Sequence, residues 1–258
     1  MHRTAGGALI RYLLGAVLFC ACAAPSPSQL PVEDTWLISV ESSRLPESSP
    51  WYRGFAHHSW IDVRQGAESN WLRIEVWRGV AIQGISSQEA HADVRWDHEV
   101  EVLQTMRGPA AERAAAILLE LAENTTDYGQ LELTRDADGG FHGKMGPSAG
   151  RDYRAWPGPN SNTFIATLIE ETPGLHAELH HNAVGKDYPN GLRAGWTSSG
   201  LGVELDTPLL GVGLGLRQGV ELHLLGLTVG IGLWPPAIKL PFLPRIGAPQ
   251  AWPVSTDT

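Results

Sequence analysis

From Gly200 to Trp234 the chain reads GLGVELDTPLLGVGLGLRQGVELHLLGLTVGIGLW. The run is apolar enough to raise the question of a membrane-spanning helix. Glu204, Asp206, Arg217 and Glu221 stand inside it, and glycine recurs every few residues, which argues against one. Val220, Leu222 and Leu224 alternate, as do Val229, Ile231 and Leu233, and a period of two marks strands. The stretch is therefore a glycine-rich β extension, followed by a proline-rich tail that begins at Trp234-Pro235-Pro236. Alternating apolar residues ordinarily belong to a buried hairpin, which is favoured here over a peripheral membrane contact.

Upstream, strands are expected at Thr35 to Val40, Ser59 to Val63, Leu72 to Trp77, Val100 to Met106 and Gln130 to Thr134. Glu41 to Pro50 reads as a loop. Pro109 to Glu123 is a helix, opened by Gly108-Pro109 and striped by Ala110, Ala114, Ile117, Leu118 and Leu121. A second helix runs from Thr163 to Glu171, with Phe164, Ile165 and Leu168 on its apolar face and Pro173-Gly174 as its stop. The fold class is α+β: an antiparallel sheet with helices, plus the C-terminal β extension.

The N-terminus carries Arg3 and Arg11 as its only charges before Glu33, and an apolar run from Tyr12 to Ala24. That run is short for a membrane span, which needs ~20 apolar residues. It suits a secretory signal over residues 1–23, with Ala21-Cys22-Ala23 as an A-x-A cleavage site. Read instead as a lipobox, Phe19-Cys20-Ala21-Cys22 would leave Cys22 acylated and anchored in a membrane. Residues 24–34 form a Pro/Ser-rich tether, and residues 35–258 a single globular domain. The expected location is the periplasm or the membrane surface, as an exported protein or lipoprotein.

Both cysteines, Cys20 and Cys22, fall in the signal region, so the rest of the chain has no thiol nucleophile and no disulfide. With 19 Lys and Arg against 28 Asp and Glu, the net charge is −9. That argues against nucleic acid as a partner. His176, His180 and His181 lack a cysteine companion and helix support, so neither a metal nor a cofactor is expected.

Two polar clusters can carry chemistry. Phe55-Ala56-His57-His58-Ser59-Trp60 opens a strand, and Pro157-Gly158-Pro159-Asn160-Ser161-Asn162-Thr163-Phe164 opens the second helix. A helix N-terminus offers free N–H groups to an anionic nucleophile or oxyanion, and a histidine on a neighbouring strand can serve as its base. The plainer reading makes Asn160, Ser161 or Asn162 a helix cap.

The runs SPWYRGFAHHSW, YRAWPGPNSNTF, AVGKDY and GVELHLLGLTVGIGLWPPAIKLPFLPRIG together resemble a proteobacterial family of unknown function, number thirty-seven fifty. The likeness implies an envelope protein of unassigned activity. More distantly, His58-Ser59-Trp60-Ile61 followed by Asn160-Ser161-Asn162-Thr163-Phe164 is similar to circularly permuted papain-like enzymes, the lecithin retinol acyltransferase and NlpC-type group. In that pattern an early strand histidine precedes a helix-opening Asn-Cys run, and here Ser161 replaces the cysteine. The resemblance implies a permuted papain-like core with Ser161 as nucleophile and His58 as base. Glu75, on the next strand, is the orienting group by placement. Trp156, Asn160, Asn162, Lys186, Asp187 and Tyr188 would line the binding cleft, and for Lys186 and Asp187 a buried structural ion pair is an equal alternative.

A serine needs a base and an oxyanion hole in register, whereas a thiol ionises readily. The favoured function is accordingly a non-catalytic or degenerate papain-like binding domain of the cell envelope. The alternative is a serine-dependent amidase, esterase or acyltransferase acting on an envelope substrate. The partner is an envelope component: peptidoglycan, lipid or protein.

Overall fold

The computed structural model describes residues 36–46, 54–66, 71–76, 80–93, 98–125, 131–135, 141–145, 153–189 and 191–248. Residues 1–35, with Cys22 and the expected signal and tether, lie outside them, as do Trp77 and Gln130.

The architecture is mixed α+β, with two large antiparallel sheets and two helices. The first sheet holds β1 (Leu37–Arg44), β2 (His57–Arg64), β3 (Trp71–Val76), β4 (Val80–Ile85) and β5 (Val100–Arg107), in the order β4-β3-β2-β1-β5. The helices are α1 (Gly108–Asn124) and α2 (Ser161–Glu171). Between them β6 (Leu131–Arg135) and β7 (Phe141–Met145) pair as a hairpin. The second sheet is a meander of β8 (Arg193–Trp196), β9 (Gly202–Asp206), β10 (Leu210–Gly215), β11 (Gly219–Leu224), β12 (Leu227–Gly232), β13 (Ala237–Lys239) and β14 (Ile246–Gly247). Among the described residues no helix is long and apolar enough to cross a membrane.

The two faces of the first sheet differ in kind. One carries Ile38, Val40, Ile61, Val63, Ile74 and Val76, buried against Leu118 of α1 and Phe164, Ile165 and Leu168 of α2. The other is polar yet equally buried: Glu41, His58, Asp62, Arg73 and Glu75 all lie there, under 10 % exposed. Asp62 holds Arg73 by a two-pronged ion pair, 2.8 Å on each prong. The Trp60 indole donates to Glu41 at 2.9 Å, the other Glu41 oxygen pairs with His91, and Arg73 also lies over the Trp60 ring. Burial comes first among the influences on Asp62, then the Glu41 charge; together they raise its carboxyl to about 6 against the pull of Arg73.

Three expectations are corrected here. The segment after Val40 is not a loop: β1 continues to Arg44, because Glu41 and Ser43 face the buried polar layer rather than water. The buried stripe of α1 is Ala111, Ala114, Ala115, Leu118 and Ala122, so Ile117 points outward. Small alanines let the helix approach the sheet closely, which a leucine-lined face would prevent.

The third correction concerns the C-terminal run. It forms a seven-stranded sheet, not a buried hairpin, and its apolar side is the exposed one. In β11, Glu221 and His223 are buried while Val220, Leu222 and Leu224 are exposed. The buried side holds charges that satisfy one another. Lys239 contacts Glu178 and Glu221. His223 pairs with Asp206 at 2.6 Å. Burial opposes its charge, but Asp187, Asp206 and Glu221 raise His223 to about 10. The glycines of β10 belong to this side: a Cβ at Gly211 would overlap the Asp206 carboxylate.

Candidate functional site

The N-terminus of α2 is built by its own sequence. Asn160 caps the helix, accepting from the N–H groups of Asn162 and Thr163, while the Thr163 hydroxyl accepts from the Asn160 N–H. The Asn160 amide also donates to the Ala155 and Val184 carbonyls. The Thr163 hydroxyl donates to the Gly185 carbonyl at 2.6 Å. Gly185 has a φ of +84°, and a side chain there would collide with Asn160.

Asn162 joins this helix to β2. Its Oδ1 accepts from the Ser59 N–H at 3.1 Å, and its Nδ2 donates to the His57 carbonyl at 2.9 Å. The register of β3 on β2 covers only Ile61 to Arg64. Beyond that point the Asn162 carboxamide supplies one donor and one acceptor, as a strand's peptide groups would. The Asn182 carbonyl completes the substitution by accepting from the His57 N–H at 2.9 Å.

Ser161 and His58 are not hydrogen-bonded to one another. His58 shares its face of β2 with Trp60 and Asp62, and its Nε2 lies 2.8 Å from the Glu75 carboxylate in the buried polar layer. Helix α2, with Ser161, packs on the opposite face, beside Ile61 and Val63. Glu75 meets His58, and Gln83 donates to its other oxygen at 3.0 Å. Among the described residues, the Ser161 hydroxyl makes no hydrogen bond to either histidine.

The remaining expected cleft residues divide. Trp156 is exposed before the helix. Tyr188 packs on Gly158 closely enough to leave no room for a side chain there, and the φ of +136° also favours glycine. Lys186 and Asp187 form a buried ion pair at 2.6 Å, extended by Thr228 to Asp187 at 3.1 Å and by Lys186 to Glu221 at 3.7 Å. They fasten the segment after α2 to the second sheet.

A different cavity lies where the α-helical face of the first sheet turns polar. It has a volume of about 340 Å³ and is lined by His57, Glu101, His180, Asn182, Phe242 and Arg245, among others. A bulge at Leu103 shifts the register of β5 on β1, so that Ser42 opposes Glu101 there, while the unbroken β1–β2 register sets it opposite Ser59. His57 stacks on His180, with centroids 3.7 Å apart and planes 10° from parallel. Burial depresses both rings, His57 to about 3, with the neighbouring His181 and Arg44 adding to the effect there. One Glu101 oxygen is buried without a hydrogen-bond partner, and burial, then the Glu99 charge, raises its carboxyl.

Two clusters of side chains have the residue types of metal ligands. Atoms of His57, Glu101 and His180 lie within 4.8 Å of one another. Ligand atoms of a tetrahedral zinc are about 3.4 Å apart, from bonds of about 2.1 Å. Parallel stacked imidazoles also direct their in-plane lone pairs side by side rather than toward one point. In addition, the Asn182 N–H donates to His180 Nδ1 at 3.0 Å, which leaves the ring proton on Nε2. This set does not fit a metal as arranged. Glu41, Asp62 and His91 form the second group. Their oxygens are already taken by Arg73, Trp60 and His91 itself.

Sequence reasoning found the helix opening and the His58–Glu75 neighbourhood, but it missed Glu101 and His180 as partners of His57. The available signal was the alternation of β2, which puts His57 on the side of Ile61. Glu101 was out of reach, because only the β1–β5 register brings it there.

A family model described as a protein of unknown function (DUF3750) matches residues 147–188, the segment that holds the α2 opening, His180 and the Lys186–Asp187 pair. No curated protein and no solved structure matches the chain significantly.

Proposed function

We propose that this chain is an exported cell-envelope protein whose globular part is a non-catalytic binding domain, a degenerate counterpart of permuted papain-like enzymes. One observation carries the reading: His58 is turned to the polar face of β2 and engaged by Glu75, and the Ser161 hydroxyl makes no hydrogen bond to it. The polar side chains around Ser161 support it. Of the backbone N–H groups that would form an oxyanion hole at the helix start, those of Asn162 and Thr163 are taken by the Asn160 side chain. The likeness to papain-like enzymes rests on the order of a histidine-bearing strand and an Asn-Ser-Asn-Thr-Phe helix opening, with α2 seated on β2. The apolar N-terminal run supports export.

The test is labelling of the folded protein with a serine-reactive fluorophosphonate, beside Ser161→Ala, His57→Ala and His58→Ala. The expected result is no labelling of the unmodified chain. Labelling that disappears in Ser161→Ala and in either histidine variant would replace this reading with a serine hydrolase or acyltransferase.

A further inference from the structure

In the meander of the second sheet each strand reverses the last, so the turns fall at two ends. The turns β8–β9, β10–β11 and β12–β13 share one end. Turns of a water-exposed meander are ordinarily polar. These carry Leu201, Leu216, Leu233 and Trp234, all more than half exposed, and Trp196 ends β8 beside them at 70 % exposure. Arg217, half-buried, is the one charged residue among the three turns.

The apolar surface continues from that end over the sheet. Val203, Val212, Leu222, Val229, Ile231 and Ile238 are exposed and in cross-strand register: Val212 faces Leu222, Leu222 faces Val229, and Ile231 faces Ile238. The charged residues of β9, β11 and β13, Glu204, Asp206, Glu221, His223 and Lys239, lie on the other side, where they pair. Seven strands ~4.8 Å apart and about five residues long give a footprint on the order of 500 Å². That is at the upper end of what a monomer leaves in water.

We infer that this face and its turn-bearing end insert into the acyl-chain region of a lipid membrane surface. The inference rests on the binding-domain reading and names its partner. Lipid is favoured over a second copy by the turns. A face-to-face pair of sheets would cover the strands but leave Leu201, Leu216, Leu233 and Trp234 in water. A protein-binding patch also has a polar rim and is enriched in aromatic residues, Met and Arg, whereas the strand face here is wholly aliphatic. On a chain of net charge −9 the attachment is apolar insertion rather than charge attraction.

The test uses the full chain with Cys20→Ser and Cys22→Ser, carrying an environment-sensitive fluorophore on Leu216→Cys or, as control, on Glu112→Cys of α1. It is mixed with phosphatidylcholine vesicles whose acyl chains are brominated. The expected result is several-fold quenching at position 216 and none at 112, equal at low and high salt. Val203→Asp with Ile238→Asp should abolish the quenching with little change in thermal unfolding, since both positions are exposed and their strands β9 and β13 do not pair, which keeps the two charges apart. An unquenched probe at 216 overturns the inference, even if the chain floats with the vesicles through its N-terminal run. So does a stable dimer that the two aspartates dissociate. Fluorophosphonate labelling reads the binding-domain proposal separately: no label with no quenching removes only the lipid face, and a label with quenching removes only the non-catalytic reading.

Discussion

Asn162 grips His57 through a single hydrogen bond of 2.9 Å, from its Nδ2 to the strand's carbonyl oxygen, and its Oδ1 takes the Ser59 N–H in the same contact. Removing the amide leaves two buried backbone groups unsatisfied, each costing about 1–3 kcal/mol. Asn162→Ala should therefore lower stability by about 2–6 kcal/mol in urea denaturation. Ser161→Ala, one residue away, should cost less than about 1 kcal/mol. Equal losses would show that the helix opening, not the carboxamide, holds the contact.

The Asp62–Arg73 pair is enclosed in the polar face of the first sheet, with the guanidinium also donating to the Ala92 and Glu89 carbonyls. Breaking a buried pair on one side costs about 3–5 kcal/mol. Arg73→Met should lose that much, and Asp62→Asn added to it should recover part of the loss. A double-mutant cycle with no coupling would contradict the pairing.

Lys239 neutralises Glu178 and Glu221 beneath the second sheet. Lys239→Met removes the cation and keeps most of the volume, so the loss reads the charge. Denaturation should show about 3–5 kcal/mol of destabilisation, with Glu221→Gln in the same chain restoring some of it.

His57, His180 and His181 are neutral when folded, with burial the first cause in each, and His57 and His181 are depressed to about 3 and about 4. The unfolded chain binds more protons below the ordinary histidine value, near 6.5. Stability should therefore fall as pH drops from about 6.5 toward 4, by up to about 1.4 kcal/mol per pH unit for each histidine. His180→Asn should flatten that slope by one proton. An unchanged slope in the variant would mean that His180 titrates normally in the fold.

Much of the first sheet was legible because its core side obeys alternation: Ile61 and Val63 mark β2, and Ile74 and Val76 mark β3. The helix opening was legible in Asn160, which caps as its side chain favours. The far end of β1 was not. Glu41 and Ser43 look like loop residues until His91 and Asp93 are seen against them, and those partners are some 50 residues away. The second sheet failed differently. Val220, Leu222 and Leu224 announced a strand correctly, but alternation does not say which side is wet. That was decided by the pairs Lys239–Glu178 and His223–Asp206, whose neutralisation lets the charged side be the buried one. The neighbourhood of His58 and Glu75 was readable from strand order, whereas the face of the sheet that α2 covers was not.

The meander of β8 to β14 has a kinetic consequence. Each strand pairs with the one just before it, so every closure spans a short loop and costs little chain entropy. The first sheet is the opposite case, since β5 must return past β2, β3 and β4 to reach β1. Local pairing is fast and distant pairing slow. The C-terminal sheet should therefore zip up sequentially within the emerging chain, while the rate of reaching the native state is set by the N-terminal sheet, and in it by the arrival of β5.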